Sequence, residues 1–93
     1  MTSNRPHNLV LTPPAVRAIQ HHLPQAVATA VVEFLTGALV DNPQRVGKPL
    51  RGDLAGIYSA RRGTYRVLYR INDARREVVV LRIEHRRDVY RGS

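Results

Sequence analysis

From Thr64 to Ile71 the chain alternates without a break. Tyr65, Val67, Tyr69 and Ile71 fall in one phase, and Arg66, Leu68 and Arg70 in the other. Successive side chains of a strand point to opposite faces, so the run predicts a strand with one side fit for a core. The other side carries two guanidinium groups about 6–7 Å apart. Ala55 to Arg61 alternates as well, and Arg62-Gly63 is the turn signal that joins the two runs as a hairpin. Asn72-Asp73 marks a second turn. Glu77 to Ile83 is the most strongly β-forming run in the chain. Three strands with two tight turns predict an antiparallel meander.

The first half has a different period. Residues 1–7 are polar and are expected to be flexible. Asn8 to Leu11 is a short strand. Thr12 then has the character of a helix N-cap, with Pro13 and Pro14 in the first turn, where a missing N–H is harmless. Val16 and Ile19 continue a helical face into His21-His22. After Leu23-Pro24 a second helix is predicted from Gln25 to about Val40, because Val27, Ala30, Val31, Phe34, Leu35 and Ala38 recur at three- and four-residue steps. Gly37 is expected to end or bend it. Asp41-Asn42-Pro43 breaks the helix, and residues 44–53 follow as a basic loop that brings Arg45, Lys48 and Arg51 near the sheet. The expected architecture is α+β, in the order β-α-α-β-β-β. An antiparallel sheet has one face covered by a helical hairpin, the other face left open, and a short polar tail from Glu84.

The hairpin sets which residues share the open face. With the turn at Arg62-Gly63, Ile57, Ser59 and Arg61 fall beside Arg66, Leu68 and Arg70. Tyr58 and Ala60 join Tyr65, Val67 and Tyr69 under the helices. The tail is expected to bring Glu84, His85, Arg86 and Tyr90 over the open face.

Charge sharpens this picture. The chain of 93 residues is one domain, with a formal net charge of +8. Lys48 is its only lysine; the other 14 cations are arginines. Residues 1–44 are neutral overall, so the whole excess lies in residues 45–93, together with all four tyrosines. Arginine for phosphates and aromatics for bases is a nucleic-acid signature, although a basic surface also suits an acidic protein partner. Without cysteine there is neither a disulfide framework nor a thiolate zinc site, and His21-His22 lack further ligands at metal spacing. No apolar run approaches a membrane span, and the expected location is the cytoplasm. Residues 44–53 are not a P-loop, because no Ser or Thr follows the lysine.

The residues expected on the open face suit one reaction. A ribose 2′-OH attacks its own 3′ phosphodiester and expels the 5′ oxygen, given a base, cations at phosphorus and an acid for the leaving oxygen. Arg66, Arg61 and Arg86 supply charge. His85 titrates near neutrality and serves as base or acid. Glu84 either orients it or acts as the base, and Tyr90 stacks on a base or relays a proton. No metal or other cofactor is required. Arg45, Lys48, Arg51, Arg62 and Arg70 are candidates for RNA contact.

Three blocks carry a resemblance. They are Gly47-Lys48-Pro49-Leu50-Arg51-Gly52-Asp53-Leu54-Ala55-Gly56, Tyr58-Ser59-Ala60-Arg61-Arg62-Gly63-Thr64-Tyr65-Arg66-Val67-Leu68-Tyr69, and His85-Arg86-Arg87-Asp88-Val89-Tyr90. In this order they resemble the RelE family of toxin–antitoxin toxins, in the pattern of its mycobacterial branch, over roughly residues 8–91. The resemblance implies an endonuclease that cuts mRNA in the ribosomal A site and a RelB-like antitoxin, acidic and partly disordered, that blocks it. It also implies operator binding through the antitoxin. The family's phosphate-binding arginine corresponds to Arg66, its arginine near the end of the last strand to Arg86 or Arg87, and its C-terminal tyrosine to Tyr90. Where studied members carry two lysines before the hairpin, one of them a base, this chain has Ile57 and Ser59. His85 is then the better candidate base, with Lys48, Arg61 or Arg62 replacing the lost charge. The alternative is a non-nucleolytic toxin of the same fold, either a gyrase poison of the ParE branch or an antitoxin-binding co-repressor.

Overall fold

A computed structural model describes residues 6–85. Strand β1, Asn8–Leu11, leads into helix α1, Pro13–Arg17, which widens into a π-helical turn over Ala18–His22. The Thr12 hydroxyl caps α1 by accepting from the Ala15 N–H, and donates to the Leu81 carbonyl at 2.8 Å, which pins the helix start to the sheet. Helix α2, Gln25–Phe34, widens in the same way over Leu35–Leu39, so the chain passes through Gly37 without ending. Residues 43–54 hold a helical turn α3, Pro43–Val46, a two-residue strand β2, Lys48–Pro49, and a 3-10 turn, Gly52–Leu54. The meander follows as β3, Tyr58–Arg62, β4, Tyr65–Asn72, and β5, Glu77–His85.

Among the described residues the sheet has five strands in the order β1-β5-β4-β3-β2. It is mixed rather than wholly antiparallel, because β1 pairs parallel to β5 while the other pairs are antiparallel. The helices intervene between β1 and the meander, which gives the long connection that a parallel pairing needs. The β3–β4 turn is Gly63-Thr64, with Arg62 opposite Tyr65, two residues from the expected register. A shift of two keeps every side chain on its face, so the predicted parity survives.

One face of the sheet meets the helices. Ala60, Val67, Tyr69, Val78, Val80 and Ile83 pack with Ala15, Val31, Phe34, Leu35 and Leu39 in a single core. Tyr69 is fully buried, stacks on Tyr58 with ring centroids 5.5 Å apart, and donates to the Pro43 carbonyl at 2.6 Å. This bond ties the start of α3 to the sheet. Burial, reinforced by Tyr58, pushes the Tyr69 hydroxyl up to about 12. Tyr65 meets Phe34 edge-on, and burial raises its hydroxyl too, partly offset by Arg62.

Candidate functional site

The other face of the sheet is built from the opposite phase of the same strands. Arg61 lies opposite Arg66, and Arg66 opposite Glu84, so these three form a row across β3, β4 and β5. Lys48, Ser59, Leu68 and Arg82 form the next row, which reaches β2. Arg70 lies further along β4, its guanidinium beside Gly56.

Arg66 and Glu84 are joined. The Arg66 Nη2 and Nε groups donate to Glu84 Oε1 at 2.7 and 3.2 Å. Arg82 Nε lies 3.6 Å from the other carboxylate oxygen, Oε2. Arg66 and Glu84 are half-buried, so the pair is less screened than the exposed cations around it. An open groove of about 620 Å³ adjoins this cluster. Its floor includes Ile57, Leu68 and Arg82, and Pro14, Arg17 and His22 of the first helical segment form a wall. Cations and short apolar side chains suit a phosphodiester chain, whose backbone is anionic and whose bases are flat.

A bulge in β5 decides which residues reach this face. Leu68 lies opposite Arg82, yet Tyr69 lies opposite Val80, so Leu81 has no partner. One extra residue inverts the alternation beyond it. Counted strictly from Val78, Arg82 and Glu84 would point under the helices and His85 outward. With the bulge, Arg82 lines the groove, Glu84 lies opposite Arg66 on the same face, and His85 lies opposite Tyr65 on the covered face, 8 % exposed. The expectation that His85 joins Arg66 over the open face is therefore corrected: β5 continues through it, and the tail does not begin at Glu84.

Arg62 is a second correction. It shares the phase of Ala60 and Tyr65, and its guanidinium sits 4.8 Å from the centre of the Phe34 ring, so it does not extend the open cationic surface. Arg61, Arg66 and Arg70 lie where expected. Lys48 reaches the open face through β2, and Arg45 and Arg51 are exposed in the chain on either side of it. Tyr58, Tyr65 and Tyr69 all serve the core, so the base-stacking role suggested by composition falls to none of them. Arg86, Arg87 and Tyr90 lie outside the described residues. Arg82, Arg17 and His22 were not anticipated. The only sequence signal for Arg82 was its place in the third strand, and the unpaired Leu81 concealed its face.

Comparison with known proteins bears on the family and the fold. The family model described as the ParE toxin of the type II toxin–antitoxin system, parDE, matches residues 9–90. Toxin RelG of Mycobacterium tuberculosis is 55% identical over 86 residues, covering 92% of this chain and 98% of the relative. Toxin RelE of the same organism is 46% identical over 91 residues, 98% of this chain and 93% of the relative. A chain in the crystal structure of the RelBE2 toxin–antitoxin complex of M. tuberculosis superposes with a TM-score of 0.85 at 54% identity, covering 88% of this chain and all of that one.

Proposed function

The chain belongs to the ParE family of type II toxin–antitoxin toxins, within the RelE/ParE superfamily, and from that premise we propose that it is a ribosome-dependent mRNA endonuclease. It cuts the message in the A site, halts translation in the cytoplasm, and is held inactive by a RelB-like antitoxin. The observation that carries this reading is the row Arg61–Arg66–Glu84, a half-buried guanidinium among further cations on the sheet face opposite the core. Support comes from similarity to toxins RelG and RelE along nearly the whole chain. The antitoxin follows from the structural relative, which was solved in a toxin–antitoxin complex. A net charge of +8 suits an acidic partner. Operator DNA is reached through that partner.

In this reading Arg66 grips the scissile phosphate and Arg61 adds charge from the neighbouring strand. Both oppose the negative charge that builds on phosphorus as the 2′ oxygen attacks. Arg86 and Tyr90, carried over by resemblance, complete the family's set. The attacking group belongs to the RNA itself, so the route calls for no metal-activated water. Lys48 and Arg70, with Arg45 and Arg51, guide the flanking backbone through long-range attraction that weakens with salt.

Toeprinting of a translated message with added protein tests the reading. Cuts within A-site codons are expected from the wild type and not from Arg66→Ala. Intact message with DNA damage would instead support gyrase poisoning.

A further inference from the structure

We propose that Glu84 is the general base that takes the proton from the attacking 2′-OH. The inference rests on the endonuclease reading and deepens it, because that reading leaves the base unassigned. Ile57 and Ser59 carry no basic group. His85 is buried on the opposite face of the sheet. Arg61, Arg66, Arg70 and Arg82 hold their protons too firmly to act as bases near neutral pH. Lys48 is exposed on β2, where an ammonium group supplies charge. Among the other carboxylates of the described residues, Glu77 lies opposite Asn72, at the far end of β5, and Asp73 is in the turn beyond it. Glu33 and Asp41 belong to the second helical segment, and Asp53 to the 3-10 turn. Glu84 is the carboxylate paired with Arg66.

Its two oxygens do different work. Oε1 accepts both hydrogen bonds from Arg66, which anchors that oxygen. Oε2 accepts no hydrogen bond among the described residues, and Arg82 stands 3.6 Å away as a counter-charge. Arg66 spends Nε and Nη2 on Glu84, which leaves Nη1 for a phosphate oxygen. A phosphate held there brings the adjoining ribose 2′-OH beside Oε2. In the step, the O–H bond of the 2′-OH breaks and its proton passes to Oε2. The 2′ oxygen bonds to phosphorus and the P–O5′ bond breaks. The departing 5′ oxygen takes a proton from water, and Glu84 later returns its own to solvent. The products are a 2′,3′-cyclic phosphate and a 5′-hydroxyl end. Among the described residues three charged groups face Glu84: Arg66 from β4, Arg82 from its own strand and, one strand further, Arg61. Arg17 and His22 stand across the groove beside Arg82.

Single-turnover cleavage on programmed ribosomes saturated with toxin tests the proposal between pH 5 and 9. Glu84→Gln keeps an oxygen to accept from Arg66 but cannot take a proton. It is expected to cut about 100-fold slower, to bind the ribosome within about threefold of wild type, and to lose the fall in rate that the wild type shows at low pH. Glu84→Asp, which retains a carboxylate, is expected to keep that fall at an intermediate rate. A Glu84→Gln variant that cuts within about fivefold of wild type, keeps the acid limb, or loses only affinity overturns the proposal. If the glutamine variant does not fold, a Glu84→Asp profile without the acid limb overturns it too. A wild type that leaves the message whole overturns the endonuclease reading itself. A wild type that cuts no better than Glu84→Gln overturns only the base.

Discussion

Strand β4 presents two surfaces that differ by a single residue step. Tyr65, Val67 and Tyr69 are buried against the helices, whereas Arg66, Leu68 and Arg70 face a groove or solvent. On the covered side even the polar atoms are turned to structure: the Tyr69 hydroxyl holds Pro43 and the Tyr65 hydroxyl meets the Ala30 carbonyl. On the open side an arginine that would be costly in a core is kept half-buried by one carboxylate. Stability and chemistry are thus separated by strand parity rather than by distance. Adjacent substitutions are expected to fail in different ways.

The sharpest break of that contrast is Val67→Asp. Val67 is 0 % exposed, and a carboxylate there has no partner in an apolar layer. The cost is expected to exceed about 4 kcal/mol, a large share of the stability of so small a domain. Circular dichroism on the purified variant should show loss of the cooperative melt. Its neighbour Arg66→Ala should behave in the opposite way. The ion pair with Glu84 is part-exposed, so the melt should move by no more than about 1 kcal/mol. A-site cleavage should fall by about 10²–10³-fold, the scale seen when one stabilising donor is lost from a reacting centre. A folded Arg66→Ala that cuts normally would remove Arg66 from the site.

Gly47→Ala tests the covered side through the backbone. Gly47 has an ordinary extended conformation, so glycine is not needed for its torsions. It is needed for room: an added Cβ would collide with the Tyr69 hydroxyl and come within 3.0 Å of the Ser59 carbonyl. Tyr69 cannot swing away without giving up Pro43. The expected cost is about 2–3 kcal/mol, as for an overpacked core, read from the denaturant midpoint. Since Lys48 follows directly, the same variant should also weaken RNA binding slightly by shifting β2.

The two faces were legible in the sequence because alternation in β3 and β4 is unbroken, and a turn misplaced by one residue shifts the register by two and leaves parity intact. Thr12, with two prolines behind it, marked the start of α1 correctly. Three features left no such trace. The partner of β1 is set by where the helices deliver the meander, so its parallel pairing to β5 is a tertiary outcome. The π-helical turns carry no sequence signal of their own, and Gly37 lies inside one instead of ending the helix. The bulge at Leu81 sits in a run of β-formers without glycine, so nothing in residue type announced that Arg82 would share a face with Arg66, or that β5 rather than a tail would bring Glu84 there. That single unpaired residue took His85 out of the proposed site and left Glu84 in it, held there by β5 rather than by a tail.

Tyr69→Phe is the mildest of these changes and the most specific to the covered face. It keeps the ring and its stacking on Tyr58 but strands the buried Pro43 carbonyl, at a cost of about 1–2 kcal/mol near neutral pH. Its pH dependence has a definite sign. An unfolded tyrosine loses its proton around pH 10. Folded Tyr69 keeps its proton until about 12, since burial, and next the neighbouring Tyr58, disfavour the phenolate. The native state therefore binds more protons than the unfolded chain in that window. The contribution of Tyr69 is complete below pH 10 and is lost as pH rises from about 10 toward 12. Phenylalanine has no proton to lose. Denaturant unfolding at pH 8 and pH 11 should show wild type ahead at the lower pH and its lead narrowing at the higher one. A gap that stays constant would mean that the hydroxyl is exchanging with solvent and that the covered face is open at α3.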